Sequence, residues 1–420
     1  NNRSLFLIMF LLWIVVNYIN GLYDLGRDAR TSAFYRRIAE AAGISLVLSI
    51  AFFYLLPSQR IAPKTILLLN IVTGYGLLAA WRWLHGRFVG ERTPQTNIVF
   101  VGFTDEAKEL MDRFTRYRER VYNVVAIIDP EQKFSGTAPG VAVYRNLHDI
   151  PTALRQQRTH LVVIAPHLHT DTAALQELYQ LLFSQVQITD VISFYEVITG
   201  RIPPSTFTES WFLEHLRSSD QPIYDRIRTI VDYIAASLMG ALCLVLSPLI
   251  VLAIHLNSPG PVLIRQKRMG KSGQLFTLYK FRSMFALTPD GSAEVNGVQF
   301  ATKNDARITP VGRVLRKARI DELPQFWNLF RRDLTLIGPR PERPEIVQAL
   351  SERIPYYPLR HVVRPGLTGW AQIHQHYTDD YDSSLEKLQY DLYYIKNKSL
   401  LLDTVILLRT VNVVLRFMGQ

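Results

Sequence analysis

One cysteine, Cys243, in 420 residues excludes disulfides within the chain and thiolate metal clusters. Its apolar neighbours mark it as a buried structural thiol, not a nucleophile. Internal repeats and low-complexity tracts are absent, and so is any nucleic-acid recognition motif. The net charge of +11 and the pI near 9.6 therefore do not point to nucleic acid; the basic residues sit beside apolar spans and suit an anionic leaflet or phosphorylated substrates. A glycine-rich phosphate turn is also missing. The strand-like run Asn97–Gly102 leads into Gly102-Phe-Thr-Asp-Glu-Ala107, with one glycine where a pyrophosphate-binding turn uses three to let the backbone approach. The chain opens at Asn1, already inside an apolar helix, which reads as a chain lacking its true beginning, and no signal peptide is assigned.

Hydrophobic residues make up 48% of the chain and cluster near the N-terminus. Leu5 to Ile19, Ala41 to Leu56 and Thr65 to Leu84 are apolar runs near the roughly 17 to 25 residues that cross a bilayer core. Three spans are predicted within residues 1–90. Arg27, Arg30, Arg36 and Arg37 crowd the first connection, Arg60 and Lys64 the second, and Arg82, Arg87 and Arg92 follow the third. The positive-inside rule makes the first and third flanks cytoplasmic and puts Asn1 outside, as in a four-span arrangement whose first span is absent from this sequence.

Between residues 91 and 205 the pattern changes to short β-rich runs, Asn97–Gly102, Asn123–Asp129 and Leu161–Ala165, alternating with helical stretches near Asp105 to Arg116 and Asp171 to Phe183. This predicts a parallel sheet with crossover helices, a Rossmann-like α/β domain. With one glycine and no evident ribose-binding acid, it is not expected to use NAD or NADP. Pro203-Pro204 and the polar stretch to Asp225 predict a linker over 206–228.

The remainder, 229–420, begins with the uncharged run Tyr233 to Ile254, long enough to span. Both flanks are basic, with Arg226 and Arg228 before and Arg265, Lys267, Arg268 and Lys271 after, so a crossing would violate the charge rule on one side. Ser247-Pro248 interrupts the run, and proline removes a backbone donor and clashes with the preceding turn. A re-entrant helix that returns to its own face satisfies both flanks. The closing stretch Leu400 to Met418 contains Asp403, Arg409, Asn412 and Arg416 and reads as a surface or packed helix.

The densest chemistry lies from Arg313 to Glu345, where the adjacent carboxylates Asp321 and Glu322 are surrounded by Arg313, Arg316, Lys317, Arg319 and Arg340. A carboxylate attacks phosphorus only when guanidinium groups or a metal already offset the negative charge. Taken alone, Lys317 and Asp321 also fit an i,i+4 pair on a charged helical surface. Pro324 just after the two acids, followed by Phe326-Trp327, fits a helix end at a membrane interface.

Lys280-Phe-Arg-Ser-Met284, Asp321-Glu-Leu-Pro-Gln325, Leu336-Ile-Gly-Pro-Arg-Pro341 and Arg364-Pro-Gly-Leu-Thr-Gly-Trp-Ala-Gln-Ile373, in this order, resemble the bacterial polyprenyl-phosphate sugar-1-phosphate transferases. The upstream organisation is similar to the large branch that begins exopolysaccharide or O-antigen synthesis. The resemblance implies a membrane protein with an N-terminal transmembrane helix bundle, the α/β cytoplasmic domain, and a mainly α catalytic domain with a re-entrant helix kinked at Ser247-Pro248. It implies a bacterial inner-membrane location with the active site on the cytoplasmic face, a UDP-sugar and a polyprenyl phosphate as partners, a homodimer, and Mg²⁺ as cofactor. Asp321 would be the nucleophile, and Glu322 with Asp321 would hold Mg²⁺. Lys280, Arg316 and Arg340 would be catalytic, and Arg282, Arg313 and Arg340 would bind substrate. The chain departs from the pattern at Arg332, where the family commonly has glycine, and at His374-Gln375-His376, where many members carry a run such as Asn-Gly-Arg. The two histidines read as polar loop residues, since Mg²⁺ prefers oxygen ligands.

Three competing readings rest on smaller features. Asp380-Tyr-Asp382 is similar to the acidic motif of metal-dependent glycosyltransferases, and Tyr394 to Lys398 has the spacing of short-chain dehydrogenases. A membrane scaffold sensing nucleotides through the middle domain is the non-enzymatic alternative.

Overall fold

The computed structural model describes residues 2–23, 32–55, 64–88, 95–117, 121–136, 139–183, 186–216, 221–288, 305–375 and 380–415. The chain divides into two compact units, Asn1–Thr199 and Gly200–Gln420.

The first unit opens with α1 (Asn2–Ile19), α2 (Ser32–Leu55) and α3 (Lys64–Phe88). Their apolar inner faces meet around Met9, Trp13, Phe34 and Ile71, and Leu7, Leu69, Val72 and Leu77 are exposed on the outside. Polar groups inside this bundle find each other: Trp13 Nε1 donates to Ser49 Oγ (2.9 Å), and the Tyr75 hydroxyl donates to Asn17 Oδ1 (2.8 Å) and lies 2.7 Å from Ser45 Oγ. Such bonds tie helices together where no water offers an alternative partner. Among the described residues, two helices are long and apolar enough to cross a membrane, one over Thr65–Leu84 and one over Pro222–Asn257; Phe6–Ile19 is a shorter apolar helix. Arg27, Arg30, Arg60 and Arg92, used in the charge rule, lie outside the described residues.

The rest of this unit is β1 (Thr96–Val101), α4 (Asp105–Tyr117), β2 (Tyr122–Ile128), β3 (Ala142–Tyr144), α5 (Ile150–Gln156), β4 (Leu161–Ile164), α6 (Thr172–Tyr179), β5 (Gln187–Asp190) and α7 (Val191–Thr199). The strands form one sheet in the order β3-β2-β1-β4-β5, every pair parallel. The fully apolar runs that announced β1, β2 and β4 are its buried centre. The edge strands β3 and β5 are short and half-exposed, with too little hydrophobic pattern to be read from sequence.

The second unit corrects the expected linker. Residues 206–228 hold α8 (Glu209–His215) and the first turns of α9 (Pro222–Asn257), and Ile202, Phe212 and Leu216 pack in this unit's core with Tyr357, Leu388 and Leu392. Aromatic anchors in a polar stretch escape a composition-based linker rule, because burial is decided by a few residues. The unit continues with the antiparallel hairpin β6 (Leu263–Met269) and β7 (Leu275–Phe281), α10 (Pro310–Lys317), α11 (Phe326–Phe330), β8 (Thr335–Ile337), α12 (Pro344–Arg353), β9 (Gly366–Thr368), α13 (Trp370–His374), α14 (Tyr381–Asn397) and α15 (Leu400–Leu415). β8 and β9 pair in parallel. Their backbones approach so closely that a Cβ on Gly366 would lie 2.1 Å from the Gly338 nitrogen, which accounts for the glycine.

At about 1.5 Å per residue the 36-residue α9 is about 54 Å long. It is attached to its own unit from end to end. Near its start Arg228 donates to Thr335 Oγ1 (2.8 Å) and the Ile337 carbonyl, and Asp232 Oδ1 accepts from the Leu336 N–H (2.7 Å). Midway, Ala236 packs on Leu278, Leu329 and Leu334, and Cys243 packs with Leu323, Leu315 and Phe281. At its end Asn257 Oδ1 accepts from the Val311 N–H (3.1 Å). The opposite face exposes Ile230, Ile234, Leu238, Val245, Leu249, Leu252 and Leu256, a continuous apolar stripe. Asp403 accepts from the Tyr224 and Tyr394 hydroxyls, both at 2.9 Å, which anchors α15 against this unit as a packed helix.

Candidate active site

Asp321 and Glu322 sit at the start of a 3₁₀ segment, Ile320–Gln325, between α10 and α11. α10 begins with Thr309 Oγ1 accepting from the Gly312 N–H (2.9 Å) and with Pro310 in its first turn, a strong start signal. Gly312 is needed because a Cβ there would lie 1.9 Å from the Ser283 carbonyl oxygen. That close approach sets α10 on the residues just after β7. α10 ends at Lys317, and Arg319 adopts a left-handed conformation (φ 53°) that turns the chain into the 3₁₀ segment. Lys317 and Asp321 therefore do not share a continuous α-helix, and the helical i,i+4 surface reading fails.

The two carboxylates have different surroundings. Glu322 is clamped: Arg319 Nη1 lies 3.3 Å from Oε2, and both terminal nitrogens of Arg340 lie 3.5 Å from Oε1. Burial alone would raise its pKa, but Arg340, Arg319 and Lys280 outweigh that and hold it below the usual range, so it is an anion. Asp321 is 9% exposed. Burial and the neighbouring Glu322 charge push its pKa up to about 6, against the pull of Lys280, Arg316 and Arg319. Lys280, on β7, is moved the opposite way: burial and Arg268 push it down to about 7, while Asp321 favours its charged form. Arg316 is braced by its Nε donating to Ser283 Oγ (2.8 Å). The Arg340 side chain is 44% exposed, so its guanidinium reaches both Glu322 and solvent. Lys280, Arg316, Arg319, Arg340, Asp321 and Glu322 form one electrostatic cluster, five of them from three separate motif segments or the helix between them.

Arg282 and Arg313 lie elsewhere. Arg282 is 1% exposed and donates to the carbonyls of Ser258 (2.7 Å) and Pro259, tying down the chain just after α9. This bonding gives Arg282 a structural task on the scaffold. Arg313 is exposed on α10 and makes no ion pair with either carboxylate among the described residues. Sequence reading undervalued Arg319, whose left-handed backbone has no simple signature. It also passed over Ser283 and Arg268, which act on Arg316 and Lys280.

The departures have local explanations. Arg332 has φ 60°, a left-handed position that glycine adopts without strain, and its Nη2 reaches Thr229 Oγ1 (3.4 Å). His374 is stacked on Tyr390 (ring centroids 5.1 Å) and packed on Trp370 (4.1 Å). Its Nδ1 lies 2.9 Å from the Trp370 carbonyl, which can only accept, so Nδ1 carries the proton and Nε2 faces the Arg409 donor at 3.3 Å. Both nitrogens are engaged, which leaves no lone pair for a metal. His376 lies outside the described residues. Asp380 is the N-cap of α14 in a capping box with Ser383, and the Tyr394 hydroxyl is buried against Asp403. The acidic triplet and the Tyr-x-x-x-Lys spacing are thus accounted for by helix capping and packing.

Residues 223–417 match the profile of a family described as bacterial sugar transferase. A UDP-glucose:undecaprenyl-phosphate glucose-1-phosphate transferase of Caulobacter vibrioides is 42% identical over 189 residues, 44% of this chain and 69% of that protein. The chain belongs to the bacterial polyprenyl-phosphate sugar-1-phosphate transferase family. Another relative is a UDP-N-acetylgalactosamine-undecaprenyl-phosphate N-acetylgalactosaminephosphotransferase of Aeromonas hydrophila, 41% identical over 236 residues, 56% of this chain and 54% of that protein. The match thus spans about half the length of the Aeromonas relative. A UDP-glucose:undecaprenyl-phosphate glucose-1-phosphate transferase of Klebsiella pneumoniae is 28% identical over 410 residues, 95% of this chain and 86% of that protein. All the carboxylates and cations of the cluster fall inside the family match.

Residues 18–189 match a second profile, described as a CoA-binding domain. Here Asp129 follows β2, where a ribose-binding acid sits in dinucleotide folds, and it was missed in the sequence. Its Oδ2 accepts from the Phe134 N–H (2.7 Å) and Arg145 Nη1 (3.3 Å), while Oδ1 is buried without a hydrogen-bond partner among the described residues. The first turn of α4 carries Asp105 and Glu106, two negative charges where a pyrophosphate would meet a helix N-terminus.

Proposed function

We propose that this protein transfers a sugar 1-phosphate from a UDP-sugar to polyprenyl phosphate, releasing UMP, as the first membrane step of a bacterial exopolysaccharide, O-antigen or capsule. The observation that carries this reading is the division of labour between two adjacent carboxylates. Glu322 is neutralised by Arg319 and Arg340, and Asp321 has no direct ion pair among the described residues although cations surround it. A buried carboxylate poorly solvated and close to fixed positive charge is suited to attack an anionic phosphorus centre. An Asp321 oxygen forms a bond to the β-phosphorus, and the bond from that phosphorus to the bridging oxygen breaks, with UMP leaving with the electron pair. An oxygen of the lipid phosphate then attacks the same phosphorus and displaces Asp321 as a carboxylate. Arg340 and Arg316 stabilise the charge on the non-bridging oxygens.

Mg²⁺ fits this donor set. It takes hard oxygen ligands and is commonly held by one or two carboxylates plus substrate phosphates and water. The described residues contain no cluster of three or more acidic, histidine or cysteine ligands, so Asp321 and Glu322 would be the protein's share. When bound, the ion would neutralise pyrophosphate charge.

The test is product identity. Incubated with UDP-glucose, UDP-galactose and their N-acetylated counterparts and polyprenyl phosphate, the protein should release UMP with one of them. Release of UDP would instead make it a glycosyltransferase.

The active site requires α9 to keep both ends on the cytoplasmic side of the inner membrane. Supporting this course, both ends of α9 are hydrogen-bonded to the unit that carries Asp321. Leu323, within the 3₁₀ segment, and Phe326, just after it, pack on its middle. Pro248 deprives the Leu244 carbonyl of its helical donor, and the Ser247 hydroxyl donates to that carbonyl instead (3.2 Å). Cysteines placed at Arg226 and Lys271 in a Cys243→Ala background should both react with an impermeant thiol reagent from the cytoplasmic side only. Labelling from opposite sides would rule out re-entry.

A further inference from the structure

Arg340 can serve the catalytic cluster only if the loop that carries it is held still, because a misplacement of about 1 Å near reacting groups is enough to cost a large factor in rate. The four consecutive carbonyls from Pro339 to Glu342 are all bonded. The Pro339 carbonyl accepts from the Gly366 N–H (2.9 Å) and the Glu342 carbonyl from the Met269 N–H (2.9 Å). The Pro341 carbonyl accepts from Arg268 Nη1 (3.1 Å). The Arg340 carbonyl itself accepts from Arg360 Nη2 (3.1 Å).

Arg360 is 1% exposed, and its fork is used on every side. Nε and Nη2 donate to Asp391 Oδ2 (3.0 and 2.7 Å), and Nη1 donates to the Tyr357 hydroxyl (2.8 Å). Nη1 also pairs with Glu342 Oε1 at 3.7 Å, and the same Glu342 oxygen accepts from Lys387 Nζ at 2.5 Å. Glu342 is held well below the usual carboxylate range: burial acts against this, but Lys387 and Arg360 dominate. Two anions, two cations and a tyrosine hydroxyl are thus enclosed beneath the loop, drawn from the 3₁₀ segment Tyr357–Val362, the loop itself and α14. A hydrophobic cluster would pack as well there at lower desolvation cost. What it would lack is a rigid planar donor joining the Arg340 backbone to α14.

We infer that Arg360, held by Asp391 and Tyr357, is a positioning residue that fixes Arg340 against Glu322. The inference rests on the transferase reading for its kinetic consequence. Arg360→Lys keeps the charge but loses the fork. It should lower kcat/KM on the order of tenfold, and in an Arg340→Ala background it should lower it no further, because the effect passes through Arg340. Equal factors in both backgrounds would show a merely structural role and overturn the inference. Where Arg360→Lys fails to fold, Tyr357→Phe removes one acceptor more gently and should show the same non-additivity with a smaller loss.

A second cycle needs no substrate. Thermal melting of the purified protein should reveal coupling between Arg340→Ala and Glu322→Gln in the parent and its disappearance with Arg360→Lys, or with Tyr357→Phe. Coupling that persists overturns the inference. A parent that shows this pattern yet turns over no UDP-sugar would sink the transferase reading and leave the positioning role standing.

Discussion

Asp321→Asn should reduce UMP release to below about 1% of the parent rate, because the amide keeps the shape of the side chain and removes the attacking anion. The variant should remain folded, and the direction follows from the pKa. A carboxylate raised above its usual value is less comfortable ionised in the folded protein than in the unfolded chain. Ionisation of Asp321 therefore lowers stability as pH rises from its usual value through about 6, and that penalty is fully present above about pH 6. The neutral amide is free of it. At pH 7.5 the melting temperature of the Asn variant should equal or exceed that of the parent while turnover is lost. Retention of more than a few per cent of turnover would exclude covalent catalysis by Asp321. A collapsed melting temperature would mean that inactivity reflects misfolding.

Lys280 should produce the next largest effect. Lys280→Met removes a cation from beside the nucleophile in a poorly solvated site and should lower kcat/KM by roughly 10²–10³-fold. The reaction needs Asp321 as an anion and Lys280 as a cation, so in the free enzyme kcat/KM should rise with pH through about 6 and fall through about 7. The two limbs belong to an interacting set rather than to isolated groups. Lys280→Arg, with a guanidinium that stays charged throughout, should keep part of the activity and lose the alkaline limb. An unchanged alkaline limb in the Arg variant would assign it to another group.

The chemistry was more legible in the sequence than the fold. Asp321, Glu322, Lys280, Arg316 and Arg340 were named from residue type and motif order, and the structure brings all five into one cluster. Arg282 is instead buried against the backbone, although a basic residue two positions from Lys280 on a strand-like run looks equally available. Its direction depended on where α9 ends, since the carbonyls of Ser258 and Pro259 claim its guanidinium. Arg360 and Asp391, 31 positions apart, form no pattern in one dimension. The expected linker dissolved for a related reason: Phe212 and Leu216 are two apolar side chains in a polar stretch, and only their partners across the unit show that they are core.

By itself the sequence determined the apolar segments, the parallel α/β alternation, the family and the paired carboxylates proposed as the reacting groups. These follow from local composition, hydrophobic period and motif order, and each is set by neighbours along the chain. Tertiary structure alone decided which carboxylate is clamped by arginines and which has its pKa raised, and which arginines lie beside the pair and which brace the scaffold. It also showed that α9 is fastened to the catalytic unit at both ends. Those properties depend on burial and on charges brought together from distant positions, and the Coulomb and desolvation energies that shift a pKa act through space, not along the chain.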